Sequence, residues 1–329
     1  MIASSLSSLW LGLGVRIAFI MVGSLVDGLS RLRYTDVDYL VFSSAADNVY
    51  AGVSPYSIPE YRYSPLVAWL LLPNVLLPSF GKILFSLADA ATGPLLQTML
   101  LQMRLPRRHC QRVAMVWALN PVTLVIATRG SADALSNLLF LLVLHLHSLG
   151  KHVSAGGCFG LLVHLRLIHI VYTPALLLSI LRGDLSRSLK DHESTFPCSR
   201  PSLTSMQWRQ VLYFGVPALV TYLSLLVFAH SLYGKEYLNN AILYHLTRCF
   251  SPFRYSYNPF RTDFRHNFSA FFLPIYLAGG TPGVLLRYAC FVPQLLLLLV
   301  STFTLAQRDT LFICVFIQTM TFVTYNKVS

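Results

Sequence analysis

Charge is what this sequence has least of. Asp, Glu, Lys and Arg make up 12% of the 329 residues, against about 25% in an ordinary soluble domain. So little charge cannot cover a soluble globule of this size. The 55% hydrophobic content and the mean hydropathy of +0.58 point the same way. Disorder, a collagen-like repeat and a small disulfide scaffold are excluded by the same composition. Cysteine is sparse and scattered: Cys110, Cys158, Cys198, Cys249, Cys290 and Cys314 form no CxxC pair. Neither a zinc spacing nor a disulfide can be argued from them, and they read as small apolar fillers. No internal repeat is evident, which argues against an inverted-repeat transporter. What is left is an all-α polytopic membrane protein, with room for about eight helices at roughly 20 apolar residues per span.

Apolar segments fall at about 9–29, 66–103, 113–128, 133–149, 153–181, 210–232, 270–305 and 310–325. The first lacks a convincing small-residue cleavage site and reads as a retained span, interrupted by Arg16. Segment 66–103 holds Pro73, Pro78 and Gly81, so a short interfacial piece is expected before a true span from about 81. Segments 153–181 and 270–305 are also broken by charge, Pro or Gly, which is tolerated only where the backbone is buried or lines a wet cavity. The chain is expected to enter the membrane and return, bent near Arg166.

The net charge of +12 would suggest nucleic acid in a soluble protein. In a polytopic one it mostly marks cytoplasmic loops, so no nucleic-acid partner is expected. Arg104, Arg107, Arg108 and Arg112 place their short loop in the cytoplasm, as do the basic residues of 182–209. Loops 30–63 and 233–269 and the turn at Arg129–Asp133 then face the lumen. Seven of the thirteen acids (Asp36, Asp38, Asp47, Glu60, Asp133, Glu236 and Asp263) fall on that side. The positive-inside rule does not sort acids, so this concentrates polar chemistry on one face independently.

Several groups there could carry chemistry. In Tyr34-Thr35-Asp36-Val37-Asp38-Tyr39, one carboxylate can take a proton while its neighbour holds a hydroxyl or cation. The structural alternative is an acid capping a helix over Val37–Tyr50. In Tyr61-Arg62-Tyr63, aromatics around an Arg read as an interfacial belt, with a phosphate contact from Arg62 as the functional alternative. Arg129-Gly130-Ser131-Ala132-Asp133 joins two spans with almost no loop. Its Arg and Asp are near enough to pair, or the Arg offers a cationic site for a lipid-linked phosphate. Arg166, flanked by His164 and His169, is an ionisable group in an apolar run, a functional site by default or a snorkelling end. Asp263-Phe264-Arg265-His266-Asn267-Phe268-Ser269 precedes the seventh apolar segment.

Read in order, these pieces are joined by Ser54-Pro55-Tyr56, Tyr63-Ser64-Pro65-Leu66, Trp69 to Asn74, Gly81-Lys82, Asn120-Pro121, Tyr244-His245-Leu246-Thr247-Arg248 and Phe322 to Val328. From about residue 30 onward the chain closely resembles the catalytic subunits of GPI mannosyltransferase I, GT-C-type membrane glycosyltransferases. The resemblance implies a GT-C-like multi-span helical fold with lumenal catalytic loops, forming one membrane-embedded domain over 1–329. It implies transfer of the first mannose from dolichol-phosphate-mannose to glucosaminyl-(acyl)phosphatidylinositol, at the lumenal face of the endoplasmic reticulum membrane. The partners implied are these lipid substrates, the membrane and a small single-span stabilising subunit. The family's acidic motif falls on Asp36 and Asp38, the expected catalytic pair, with Asp36 preferred as base. Arg62, Arg129, Asp133, Arg265, His266 and Asn267 are the expected substrate or phosphate contacts. No metal and no further cofactor is expected. Compared with the family, 249–262 is an extra stretch, and Leu167–Val171 separates Arg166 from Tyr172-Thr173-Pro174. The chain also stops at Ser329 where the family runs on, so a C-terminal truncation is expected. The competing readings are a truncated non-catalytic relative and a lipid or solute transporter.

Overall fold

A computed structural model describes residues 2–191, 205–245, 277, 284–307 and 309–325. The expected site residues Arg265, His266 and Asn267, the extra stretch 249–262 and Asn326-Lys327 lie outside the described residues. Among the described residues the regular structure is helical. Its helices are α1 (Ile2–Leu29), α2 (Val37–Tyr50), α3 (Pro65–Leu70), α4 (Phe80–Gln102), α5 (Arg107–Ala118), α6 (Pro121–Thr128), α7 (Asp133–Ser148), α8 (His152–Leu165), α9 (Thr173–Asp191), α10 (Ser205–Tyr237), α11 (Val284–Leu305) and α12 (Leu311–Tyr325). The chain divides into two compact units, Met1–Arg166 with Pro217–Ala241, and Leu167–Val216 with Ile242–Ser329.

Among the described residues, three helical stretches are long and apolar enough to cross a membrane: Ser8–Leu29, Phe80–Gln102 and Gln207–Leu243. A fourth crossing forms if α5 and α6, bent by 45°, count as one. The bend has a local cause. Asn120 caps α6 through a 2.9 Å bond from the Val122 N–H, and Pro121 cannot continue the preceding helix. The apolar segments at 133–149 and 153–181 fold differently from single full spans. The first forms α7, 16 residues long, which at 1.5 Å per residue reaches about 24 Å, short of a roughly 30 Å hydrocarbon core. The second breaks at Arg166, whose backbone is extended (φ −142°, ψ 103°), and resumes as a 3-10 turn leading into α9. Segment 66–103 divides as its prolines predict, into α3, a 3-10 turn at Leu72–Val75, and α4.

In the first unit α4 is the central element, packing on α1, α5, α6 and α7. Its buried face is rich in small residues, including Gly81, Ser86, Ala88, Ala90, Thr92 and Gly93. Such residues let helices approach closely where lipid gives no hydrophobic drive. A Cβ on Gly93 would lie 3.2 Å from the Ala114 carbonyl oxygen, and one on Gly160 would lie 2.2 Å from that of Ala218. α1 meets α4 through charge as well. Arg16, fully buried, donates from Nη2 to Asp89 Oδ2 at 2.5 Å and from Nε at 3.0 Å. Its Nη1 donates to the Gly12 and Ala118 carbonyls at 2.9 and 2.7 Å. Every donor group of the guanidinium thus has an acceptor, which is what makes an intramembrane arginine tolerable. In the second unit α11 packs on α12 and both contact α9. Gln318 donates to Thr302 Oγ1 at 2.8 Å, and Cys314 donates to the Ser301 carbonyl at 3.2 Å.

Breaking one side of the Arg16–Asp89 pair leaves a buried charge unmet. Asp89→Leu should destabilise the detergent-solubilised protein by about 3 kcal/mol. The double variant Arg16→Met, Asp89→Leu should recover more than half of that loss, read from thermal unfolding of both proteins.

Candidate active site

The site grows from the short return between α1 and α2. Asp36 has extended backbone (φ −67°, ψ 144°) and caps α2, its Oδ1 accepting the Asp38 N–H at 3.3 Å. The expected capping role is therefore real and leaves Oδ2 for other work. That oxygen lies 4.0 Å from Arg129 Nη2. The two strands of chain are also laced by backbone. The Asp36 N–H donates to the Arg129 carbonyl at 3.0 Å, and Arg129 Nε donates to the Tyr34 carbonyl at 3.0 Å.

The second carboxylate belongs to a different chain of contacts. Asp38 is exposed in the first turn of α2, and its Oδ2 accepts the Tyr63 hydroxyl at 2.7 Å. The Tyr63 ring stacks edge-on against Phe42 at 4.6 Å and lies 5.8 Å from the Arg166 guanidinium. Arg166 in turn is ion-paired with Asp133, the first residue of α7. Burial and the neighbouring Asp38 carboxylate push the Tyr63 phenol above its usual value, so it stays a neutral hydrogen-bond donor. Two carboxylates two residues apart are thus held by different partners, a guanidinium for one and a phenol for the other. Below them Tyr63, Val67, Phe85, Ala132, Ser136 and Arg166 line a small, mainly apolar pocket.

Four expected site residues meet here: Asp36, Asp38, Arg129 and Asp133. The structural alternative for this turn, a pair between Arg129 and Asp133, does not form. The turn between them is reversed by Gly130 at φ +99°, and Arg129 faces Asp36 while Asp133 faces Arg166. Arg62 is partly buried on the loop carrying Tyr63. The helical break does lift Arg166 out of its apolar run, but into an ion pair at the site rather than to a free end. Tyr63 is the residue that sequence reasoning missed, because a tyrosine beside an arginine at a membrane boundary looks like an interfacial belt. Its loop is held by aromatic hydroxyls: Tyr56 donates to the Tyr63 carbonyl at 3.0 Å, and the buried Tyr61 donates to the Ser64 carbonyl at 2.7 Å.

Tyr39 wedges α2 into this arrangement. Its hydroxyl donates to the Pro78 carbonyl at 2.8 Å and accepts from Asn74 Nδ2 at 3.0 Å. Its ring lies against two glycines: a Cβ on Gly130 would fall 2.4 Å from Tyr39 Cδ2, and one on Gly81 would fall 2.8 Å from Cε2. Among the described residues no group of three or more His, Cys, Asp and Glu is placed to share a metal ion. Gly130→Ala should lower thermal stability by about 1–3 kcal/mol through backbone strain, with the clash adding to it. Gly150→Ala, at φ +73° with open space around the new Cβ, should cost measurably less in the same unfolding assay.

Comparison with known proteins gives this chain a family. The PIG-M mannosyltransferase family matches residues 126–329. GPI mannosyltransferase 1 of Saccharomyces cerevisiae is 35% identical over 328 residues, covering 95% of this chain and 73% of the yeast protein. The GPI alpha-1,4-mannosyltransferase I catalytic subunit of Danio rerio is 35% identical over 329 residues, covering 95% and 74%. GPI mannosyltransferase 1 of Dictyostelium discoideum is 31% identical over 334 residues, covering 96% and 72%. The family match and the relatives at 31–35% identity agree with the helical membrane fold: the chain belongs to the PIG-M family of membrane mannosyltransferases.

Proposed function

We propose that this chain transfers the first mannose of the glycosylphosphatidylinositol anchor, from dolichol-phosphate-mannose to glucosaminyl-(acyl)phosphatidylinositol. The chemistry requires a proton to leave the acceptor 4-hydroxyl as it attacks the mannose C1, while the lipid phosphate departs. A carboxylate serves the first need and a guanidinium the second. The observation that carries the reading is the placement of Asp36 and Asp38 at the start of α2, with Arg129 4.0 Å from the one and Tyr63 2.7 Å from the other.

In this reading Asp36 is the base. Asp38, fixed by Tyr63, orients the acceptor sugar through its remaining oxygen. Arg129 meets the departing phosphate, assisted by Arg62 from the neighbouring loop. Arg166, tied to Asp133, closes the site. Arg265, His266 and Asn267 belong to the same proposal as further phosphate contacts. The guanidinium supplies the positive charge that a divalent ion would otherwise bring, so the reaction is proposed to need no metal.

The site faces the lumen of the endoplasmic reticulum in this proposal, on a multi-pass chain organised as one membrane-embedded domain. Basic loops at 104–112 and 182–209 support that orientation. The family resemblance adds a small single-span stabilising subunit as partner, which co-purification with the tagged chain would test.

Asp36→Asn and Asp38→Asn, expressed separately in cells lacking this activity, should each fail to restore surface GPI-anchored proteins, with Asp36→Asn the more severe. Full restoration by both would remove the assignment. Chelation with EDTA should leave the activity of isolated membranes within about twofold, whereas a loss reversed by manganese would contradict the metal-free mechanism.

A further inference from the structure

Two titratable residues near the site play no part in the mechanism above: Asp27 in the last turns of α1, and Lys82 in the first turn of α4. Both are tied to the residue before Asp36. Asp27 Oδ1 accepts the N–H groups of Tyr34 at 2.5 Å and Thr35 at 3.1 Å, and its Oδ2 accepts the Thr35 hydroxyl. Lys82 Nζ donates to Thr35 Oγ1 at 2.5 Å and lies 3.7 Å from Asp27 Oδ2. Thr35 and Lys82 are buried, 8% and 5% exposed. The same ammonium sits 5.6 Å from the centre of the Tyr39 ring.

These contacts fix an unbroken run of backbone. Asp27 takes the N–H of residues 34 and 35, and the Arg129 carbonyl takes that of residue 36. Three successive donors are clamped, and the next side chain is the Asp36 carboxylate. A loop of seven residues between α1 and α2 would otherwise leave that carboxylate free to wander. Held this way, it is aimed before substrate arrives, and displacement of a reacting group by about 1 Å is enough to cost on the order of 100-fold in rate. A buried ammonium is also an expensive way to hold a threonine for stability alone, because a buried ion pair adds little over apolar packing.

We propose that Lys82, acting through Thr35 and Asp27, is a positioning residue for the Asp36 base. The clamp does not touch substrate. It neutralises Asp27 inside the bundle, so that the carboxylate can spend both oxygens on the loop. The inference rests on the mannosyltransferase reading.

The test is steady-state mannosyl transfer with the full chain in purified membranes, normalised to the monodisperse folded fraction. Thr35→Val keeps the shape of the side chain and removes the hydroxyl. It should lower kcat roughly 10-fold, and Lys82→Met roughly 10- to 100-fold, with KM for both lipid substrates within about twofold. Lys82→Arg should retain more activity than Lys82→Met. The double variant Asp27→Asn, Lys82→Met removes both charges while keeping an acceptor for the loop, and should recover about 10-fold over Lys82→Met alone. An active wild type matched in kcat by Thr35→Val and Lys82→Met would overturn the positioning role and leave the mannosyltransferase reading standing. Loss confined to KM would overturn it in the same way. A folded wild type without mannosyl transfer would overturn the reading and the inference together.

Discussion

Two ion pairs of opposite sense set the register on which the first unit depends. α1 carries Arg16 and Asp27 into the bundle, and α4 carries Lys82 and Asp89. Arg16 meets Asp89, and Lys82 meets Asp27. Moving eleven residues along α1 moves back seven along α4, so the helices run antiparallel with each charge opposite its complement. Sliding one helix by a turn would break both pairs and leave the buried Arg16, Asp89 and Lys82 without their charge partners. Helices facing lipid gain little from burial as such, so charge pairing and close approach at small residues carry the specificity.

The geometry of the candidate site follows from that register. The upper pair places Thr35 against Lys82 and Asp27, and the Arg129 carbonyl catches the next N–H. Tyr39, in the first turn of α2, locks the helix against Gly81 at the head of α4 and Gly130 in the turn before α7. Around the site each carboxylate then has a donor: Asp36 faces Arg129, Asp38 faces the neutral Tyr63 hydroxyl, and Asp133 faces Arg166. Each acid is held by a partner that belongs to a different element. This is the preorganisation that electrostatic catalysis needs, because partners fixed in advance do not have to reorganise when charge develops.

Much of this was legible in the sequence wherever the signal is local. The carboxylate pair preceding an apolar-periodic stretch announces a cap, and Asp36 serves as the cap of α2. Pro73 and Pro78 announce the short helix before α4, and Asn120-Pro121 lies at the bend between α5 and α6. A charge in the middle of an apolar run announces the break at Arg166. What the sequence does not display is partnership across distance. Arg16 and Asp89 are 73 positions apart, and neither residue type names its partner. Arg129 and Asp133, four positions apart, are near enough in sequence to pair, yet the positive φ of Gly130 sends them to different carboxylate and guanidinium partners. Tyr63 was hidden because its hydroxyl's role depends on Asp38, 25 positions earlier. The short α7 deceived for another reason: composition reports apolarity, not the number of residues that stay helical.

The account comes down to one carboxylate, Asp36, aimed beside a guanidinium. The most direct measurement is transfer of radiolabelled mannose from dolichol-phosphate-mannose to glucosaminyl-phosphatidylinositol by the folded chain in membranes, for wild type and Asp36→Asn. The account predicts singly mannosylated lipid from the wild type, and from Asp36→Asn a rate lower by about 100-fold or more. An Asp36→Asn protein that forms the same product at the wild-type rate would contradict it.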